Sequence, residues 1–143
     1  MMDNIIIEKV YEDSDLMEMK ISVKSEFVSA HQYFYTQELA IKELSDMISE
    51  YTKKFNQSYY FKSGEKEGKL TSAFSIEVLP AKMNGNLKIE VDLEIDDNNE
   101  RKHRCNCYIN TDIGALERFG SSLLNLIGAN IGTEIELNKN FSW

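Results

Sequence analysis

The stretch NLKIEVDLEIDD, residues 86 to 97, alternates apolar and polar side chains almost without a fault. Leu87, Ile89, Val91, Leu93 and Ile95 share one parity, while Lys88, Glu90, Asp92, Glu94 and Asp96 share the other. Side chains of a strand point alternately to its two faces, so a period of two fits a half-buried strand and no helix. A chain holding such a strand must build a sheet with one greasy face against a core and one face in water.

The neighbouring segments extend that sheet. Asn84-Gly85 is a two-residue hairpin signal, because both residues tolerate positive φ. Taken literally, it sets Val78 opposite Val91, Ile76 opposite Leu93 and Phe74 opposite Ile95, apolar against apolar. The same register puts Glu77 across from Asp92. For the following turn, DDNNERK, a three-residue loop pairs Leu93 with Cys105, Val91 with Cys107 and Ile89 with Ile109. Asp96 then faces Lys102 and Glu94 faces Arg104, which explains half of the acidic row as cross-strand charge pairing. Asp92, with Glu77 on one side, Asn106 on the other and Glu90 beside it, remains as the outer spot that would welcome a cation or a basic side chain.

Elsewhere the period changes. NIIIEKVYE and LMEMKISVKSEF read as extended segments around a polar turn at Glu12 to Asp15. TQELAIKELSDMISEYTKKF predicts a helix capped by Thr36, with Leu39, Leu44, Met47, Ile48, Tyr51 and Phe55 as its buried stripe. SYYFK and TSAFSIEVLP are strands joined by SGEKEGK. TDIGALERFGSSLLNLIG predicts a second helix capped by Thr111, with Ile113, Leu116, Phe119, Leu123, Leu126 and Ile127 inward. Gly114 and Gly120 within it imply close packing of its backbone against the sheet, and Gly128 is its stop. TEIELN adds a short strand before the aromatic tail FSW. These elements predict one α+β domain over 1–143: an antiparallel sheet of about five to seven strands with two helices packed on one face.

Composition narrows the class. An apolar share of 42% with 28% charged residues is that of an ordinary globular chain, and no apolar run reaches the roughly 20 residues that cross a bilayer. The N-terminus lacks a basic n-region, which predicts a cytoplasmic address. The net charge of −8 is divided evenly between residues 1–70 and 71–143, so no basic face for nucleic acid or an anionic membrane is expected. A basic protein partner fits that charge.

Reactive chemistry finds little support. Cys105 and Cys107 are two apart and lack zinc-ligand spacing with His31 or His103, so they read as buried reduced thiols. Carboxylates two apart on a strand have Cα atoms about 7 Å apart and do not converge on one ion. His103 falls on the inner parity as a core-edge residue, and His31 beside Ser29 has no acidic third member. KSGEKEGK lacks the phosphate-loop spacing. No catalytic, cofactor or metal residues are assigned. If Tyr33-Phe34-Tyr35 and Tyr59-Tyr60-Phe61 are strands, alternate rings point outward, where tyrosine suits protein interfaces.

The helix, meander and helix of residues 17 to about 127 resemble the small bacterial immunity proteins of wall-associated and related polymorphic toxin systems. The segments that carry the likeness are MEMKISVKS, QELAIKELSDMI, FSIEVLP, KIEVDLEIDD and ALERFGSSLLNLI. The chain has no tryptophan after the entry strand, where that group has one. The resemblance implies a non-enzymatic binder that blocks a basic toxin domain by direct contact, with Glu77, Glu90, Asp92 and Glu94 as partner-binding residues. Two other readings stay open: an acidic phage or plasmid anti-defence protein mimicking nucleic acid, and a small-ligand-binding domain.

Overall fold

The computed structural model describes residues 3–63, 73–97 and 101–139. The loop SGEKEGK beyond Ser63 and the tail FSW lie outside them. Eight strands and two helices follow in the order β1 (Asn4–Glu12), β2 (Met17–Lys24), β3 (Ser29–Thr36), α1 (Glu38–Lys53), β4 (Tyr59–Ser63), β5 (Ala73–Val78), β6 (Asn86–Asp97), β7 (Arg101–Asp112), α2 (Ile113–Ile127) and β8 (Glu134–Glu136). The α+β class is as expected, with all strand pairs antiparallel, but the strands divide into two four-stranded sheets. The first runs β3-β2-β1-β8 and the second β4-β5-β6-β7. The additional strand β3 comes from SAHQYFYT, which pairs along its whole length with β2.

Period-two patterning determines what each sheet buries. Ile5 and Ile7 of β1, Met17, Met19, Ile21 and Val23 of β2, and Phe34 of β3 are buried, as are Phe74, Ile76 and Val78 of β5 and Leu87, Ile89, Val91 and Leu93 of β6. Both inner faces join the apolar stripes of the helices in one core. Phe34 and Phe74 bring β3 against β5 with ring centroids 4.6 Å apart. Gln32 Nε2 donates to Glu94 O at 3.0 Å, tying the two sheets together.

The helices differ from expectation at their ends. Thr36 belongs to β3, and α1 starts after Gln37, which makes no side-chain cap bond. Ile41, Leu44, Ser45, Ile48 and Tyr51 form its buried stripe, while Leu39 and Phe55 are exposed, so the stripe is rotated toward Ile41 and Ser45. In α2 the cap is Asp112 rather than Thr111: its Oδ1 accepts from Ala115 N at 2.8 Å. Gly120 is packed closely, but against the other helix. A Cβ built there would lie 2.7 Å from Ile48 Cγ2, and Ser45 Oγ donates to Gly120 O at 2.8 Å.

The register of β6 with β7 is the expected one, including Ile89–Ile109, Val91–Cys107 and Leu93–Cys105. That of β5 with β6 is displaced by two residues. Val78 faces Ile89, Ile76 faces Val91 and Phe74 faces Leu93. The hairpin is longer than two residues: Lys82 N donates to Asn86 O, Gly85 N donates to Lys82 O, and Gly85 has φ +88. A turn closed by a left-handed glycine is the three-residue hairpin solution. Next to it, Pro80 has no N–H and Ala81 N donates to Phe55 O instead of to the sheet. The ladder resumes only where Leu79 N donates to Lys88 O. Because the displacement is an even number, inner and outer faces are preserved.

One buried charge was not anticipated. Lys9 continues the inward parity of Ile5 and Ile7 and is fully buried. Its Nζ donates to Leu126 O and Ile127 O at 3.1 Å and to Ala129 O at 2.9 Å, and lies 2.8 Å from Glu12 Oε1. The last turn of α2 carries no basic residue of its own. A strand lysine thus supplies the cation that the negative end of the helix dipole and its orphan carbonyls require. The β1–β2 register shifts just beyond it, between Lys9 and Tyr11, and this bulge turns Tyr11 to the outside.

Candidate functional site on the outer face of the second sheet

The outer face of β4-β5-β6-β7 is laid out in rows set by strand pairing. One row runs Tyr60–Glu77–Glu90–Tyr108. The next runs Lys62–Ser75–Asp92–Asn106, and beyond it Glu94 pairs with Arg104. All four residues singled out from sequence, Glu77, Glu90, Asp92 and Glu94, therefore stand on one outer face, but not in the expected arrangement. Asp92 faces Ser75, and the residue opposite Glu77 is Glu90, a consequence of the hairpin shift.

The shift changes which carboxylate needs a partner. Arg104 reaches diagonally past its own row to Asp92: Nε donates to Oδ1 at 3.1 Å and an Nη to Oδ2 at 2.5 Å. This two-pronged hydrogen bond, and then the Asp92 charge itself, raise the Arg104 pKa above its ordinary value. Asp92 is thereby neutralised and largely covered. Glu90 Oε2 accepts from Asn106 Nδ2 at 2.9 Å, a neutral donor that leaves its charge uncompensated. The Glu77 carboxylate makes no hydrogen bond or ion pair among the described residues. Two directly opposed carboxylates repel by about 0.8 kcal/mol at about 5 Å in bulk water, and by more where water is displaced.

The same row carries two aromatic rings that the acidic pattern alone did not connect to it. Tyr60 and Tyr108 are 58% and 50% exposed at its two ends. Tyr59 and Phe61, on either side of Tyr60, pack against the core, and Cys107 and Ile109, on either side of Tyr108, lie within it, as strand alternation requires. The outer face of the first sheet also bears tyrosines, Tyr33 and Tyr35, each about half exposed. There, however, Glu8 lies opposite Lys20, and the Lys20 ammonium stands 5.9 Å from the Tyr33 ring centroid. That sheet also opposes two carboxylates, Glu8 and Glu134, but there Lys20 stands across from Glu8 on its other side.

The remaining candidates for chemistry are placed apart. Cys107 is buried on the inner face, and its thiol is pushed up to about 11, first by burial and then by Cys105 alongside. It stays protonated at neutral pH and is a poor nucleophile. His103 lies opposite Ile95 but is exposed rather than at the core edge. His31 stacks edge-on to Tyr33 on the other sheet, at 5.9 Å. Among the described residues no group of three His, Cys, Asp or Glu is placed to hold a metal ion, and no helix is long and apolar enough to cross a membrane.

Comparison of the chain with protein-family models, with curated proteins and with solved structures returned no match.

Proposed function

We propose that the chain is a non-enzymatic cytoplasmic binding protein, an immunity protein that neutralises a cognate bacterial toxin domain by direct contact through the outer face of β4-β5-β6-β7. One observation carries the reading. Glu77 and Glu90 oppose each other between two exposed tyrosines, Tyr60 and Tyr108, with no cation paired to either among the described residues. An arginine or lysine from a basic partner would relieve the repulsion and gain charge-assisted hydrogen bonds to both carboxylates. The tyrosines would supply rigid apolar area around that contact, the composition typical of interface hot spots. Charge complementarity of a −8 chain with a basic toxin would also speed the encounter.

The experiment uses the toxin domain encoded next to this chain's gene. Co-expression of the two should permit growth, and calorimetry should show tight binding. The double variant Glu77→Lys/Glu90→Lys should weaken affinity at least about thirtyfold and abolish protection, since a like charge would then face the partner's cation. Unchanged affinity in that variant would overturn the assignment of this face.

A further inference from the structure

At the hairpin end of the second sheet lies an open hollow of about 610 Å³ with largely apolar walls. That volume falls within the roughly 300–1,000 Å³ typical of small-molecule sites. We infer that this hollow binds a small organic carboxylate with an apolar body, a site separate from the Glu77–Glu90 row and independent of the immunity reading.

The walls come from Leu79, Pro80 and Leu87, and the rim carries Lys82, Lys88 and Asn110. Neither lysine ammonium makes an ion pair or hydrogen bond among the described residues, and the Asn110 side-chain amide is also unengaged there. Two uncompensated ammonium groups and a free amide donor above a greasy floor describe the complement of a carboxylate on a hydrocarbon or aryl group. Two neighbouring acids are turned to the backbone, and a third, Glu90, stands two residues from Lys88 on the same outer face and accepts from Asn106. Asp3 Oδ2 accepts from Asn110 N at 2.9 Å, and Asp112 Oδ1 caps α2.

The hollow is held in shape before any ligand arrives. Tyr51 Oη donates to Leu79 O at 2.7 Å, and Ala81 N donates to Phe55 O at 2.8 Å, so α1 and the segment after it anchor one wall. Asn138 secures the other: its Nδ2 donates to Asp3 O and Asn110 O, and its Oδ1 accepts from Thr111 Oγ1. Walls fixed in this way need little ordering on binding.

Titration of the full chain with phenylbutyrate, followed by amide NMR, tests the assignment, with neutral phenylbutyramide and inorganic phosphate as controls. Phenylbutyrate should shift the signals of Leu79, Lys82, Lys88 and Asn110. Phenylbutyramide should bind about tenfold more weakly, phosphate alone should leave these signals in place, and Lys82→Ala/Lys88→Ala should weaken phenylbutyrate about tenfold. Equal affinity for acid and amide, no loss in the lysine variant, absence of binding, or shifts confined to other regions would each overturn the proposal. So would movement of these signals on Phe141→Ala/Trp143→Ala substitution without ligand, which would give the hollow to the chain's own tail.

Discussion

Lys9 and Glu77 are both charged residues on interior strands of a four-stranded sheet, and the fold treats them in opposite ways. Lys9 points inward and is surrounded: three carbonyls of the α2 terminus and the Glu12 carboxylate take up its ammonium. Glu77 points outward with a second carboxylate directly across from it. A buried charge is tolerated only when its hydrogen-bonding capacity is filled, so Lys9 has to be part of the architecture. A half-buried carboxylate pair still open to water costs little and can persist without a partner in the fold. The contrast separates a charge that the structure uses from one that it leaves for something else.

The largest expected effect comes from Lys9→Met, which keeps the length and apolar stem but removes the cation. It strands the carbonyls of Leu126, Ile127 and Ala129 near the core and should cost about 3 kcal/mol or more in urea unfolding. Amide exchange in the last turn of α2 should accelerate with it. A loss below about 1 kcal/mol would break the comparison, because the buried lysine would then be incidental.

Gly120→Ala should rank next. The new methyl would sit 2.7 Å from Ile48 Cγ2, so the two helices must separate or shift, at a cost of about 2 kcal/mol. Adding Ile48→Ala opens the space that the methyl needs. The double variant should therefore be more stable than the sum of the single effects predicts, a coupling readable in a double-mutant cycle. Additive losses would show that the contact between α1 and α2 is already loose.

A smaller effect, near 1 kcal/mol at neutral pH, is expected for Tyr51→Phe, which removes the hydrogen bond to Leu79 O. Burial pushes the Tyr51 phenol up to about 12, whereas an unfolded tyrosine titrates near 10. The folded protein thus keeps a proton that the unfolded chain has released. The associated stability is intact below about pH 10 and is lost as pH rises toward 12. Tyr51→Phe should lack that part of the alkaline decline. Parallel pH curves for the two proteins would remove the phenol from the account.

Much of this architecture could be read from residue order. Alternation in residues 86 to 96 is enough to assign faces, and keeping Cys105, Cys107 and Ile109 opposite Leu93, Val91 and Ile89 points to the β6–β7 register. The β5–β6 register was less readable because Asn84-Gly85 imitates a two-residue turn. Its real form depends on Pro80, which cannot donate, and on an Ala81 N–H drawn away to Phe55, a contact some 26 residues distant. Lys9 did leave a signal, since it falls on the parity of Ile5 and Ile7. Its partners lie more than a hundred residues along the chain, beyond the reach of local pattern. The candidate row was half visible for the same reason. The acids declared themselves by alternation, but Tyr60 and Tyr108 joined Glu77 and Glu90 only once three strands were in register.

The smallest effect is the most discriminating for the outer face. Glu77→Gln removes one of two opposed carboxylates while keeping shape and exposure. It should raise stability by a few tenths of a kcal/mol, within the roughly 0.2–1 kcal/mol range of cross-strand pairs. The gain should shrink as salt is added, because charges about 5 Å apart that remain open to water are progressively screened. A substitution that stabilises the isolated protein while weakening its hold on a basic partner is the expected signature of a residue kept for binding at some cost to the fold. If Glu77→Gln instead lowers stability, the carboxylate is already serving the sheet, and the opposed pair would need no outside cation to account for it.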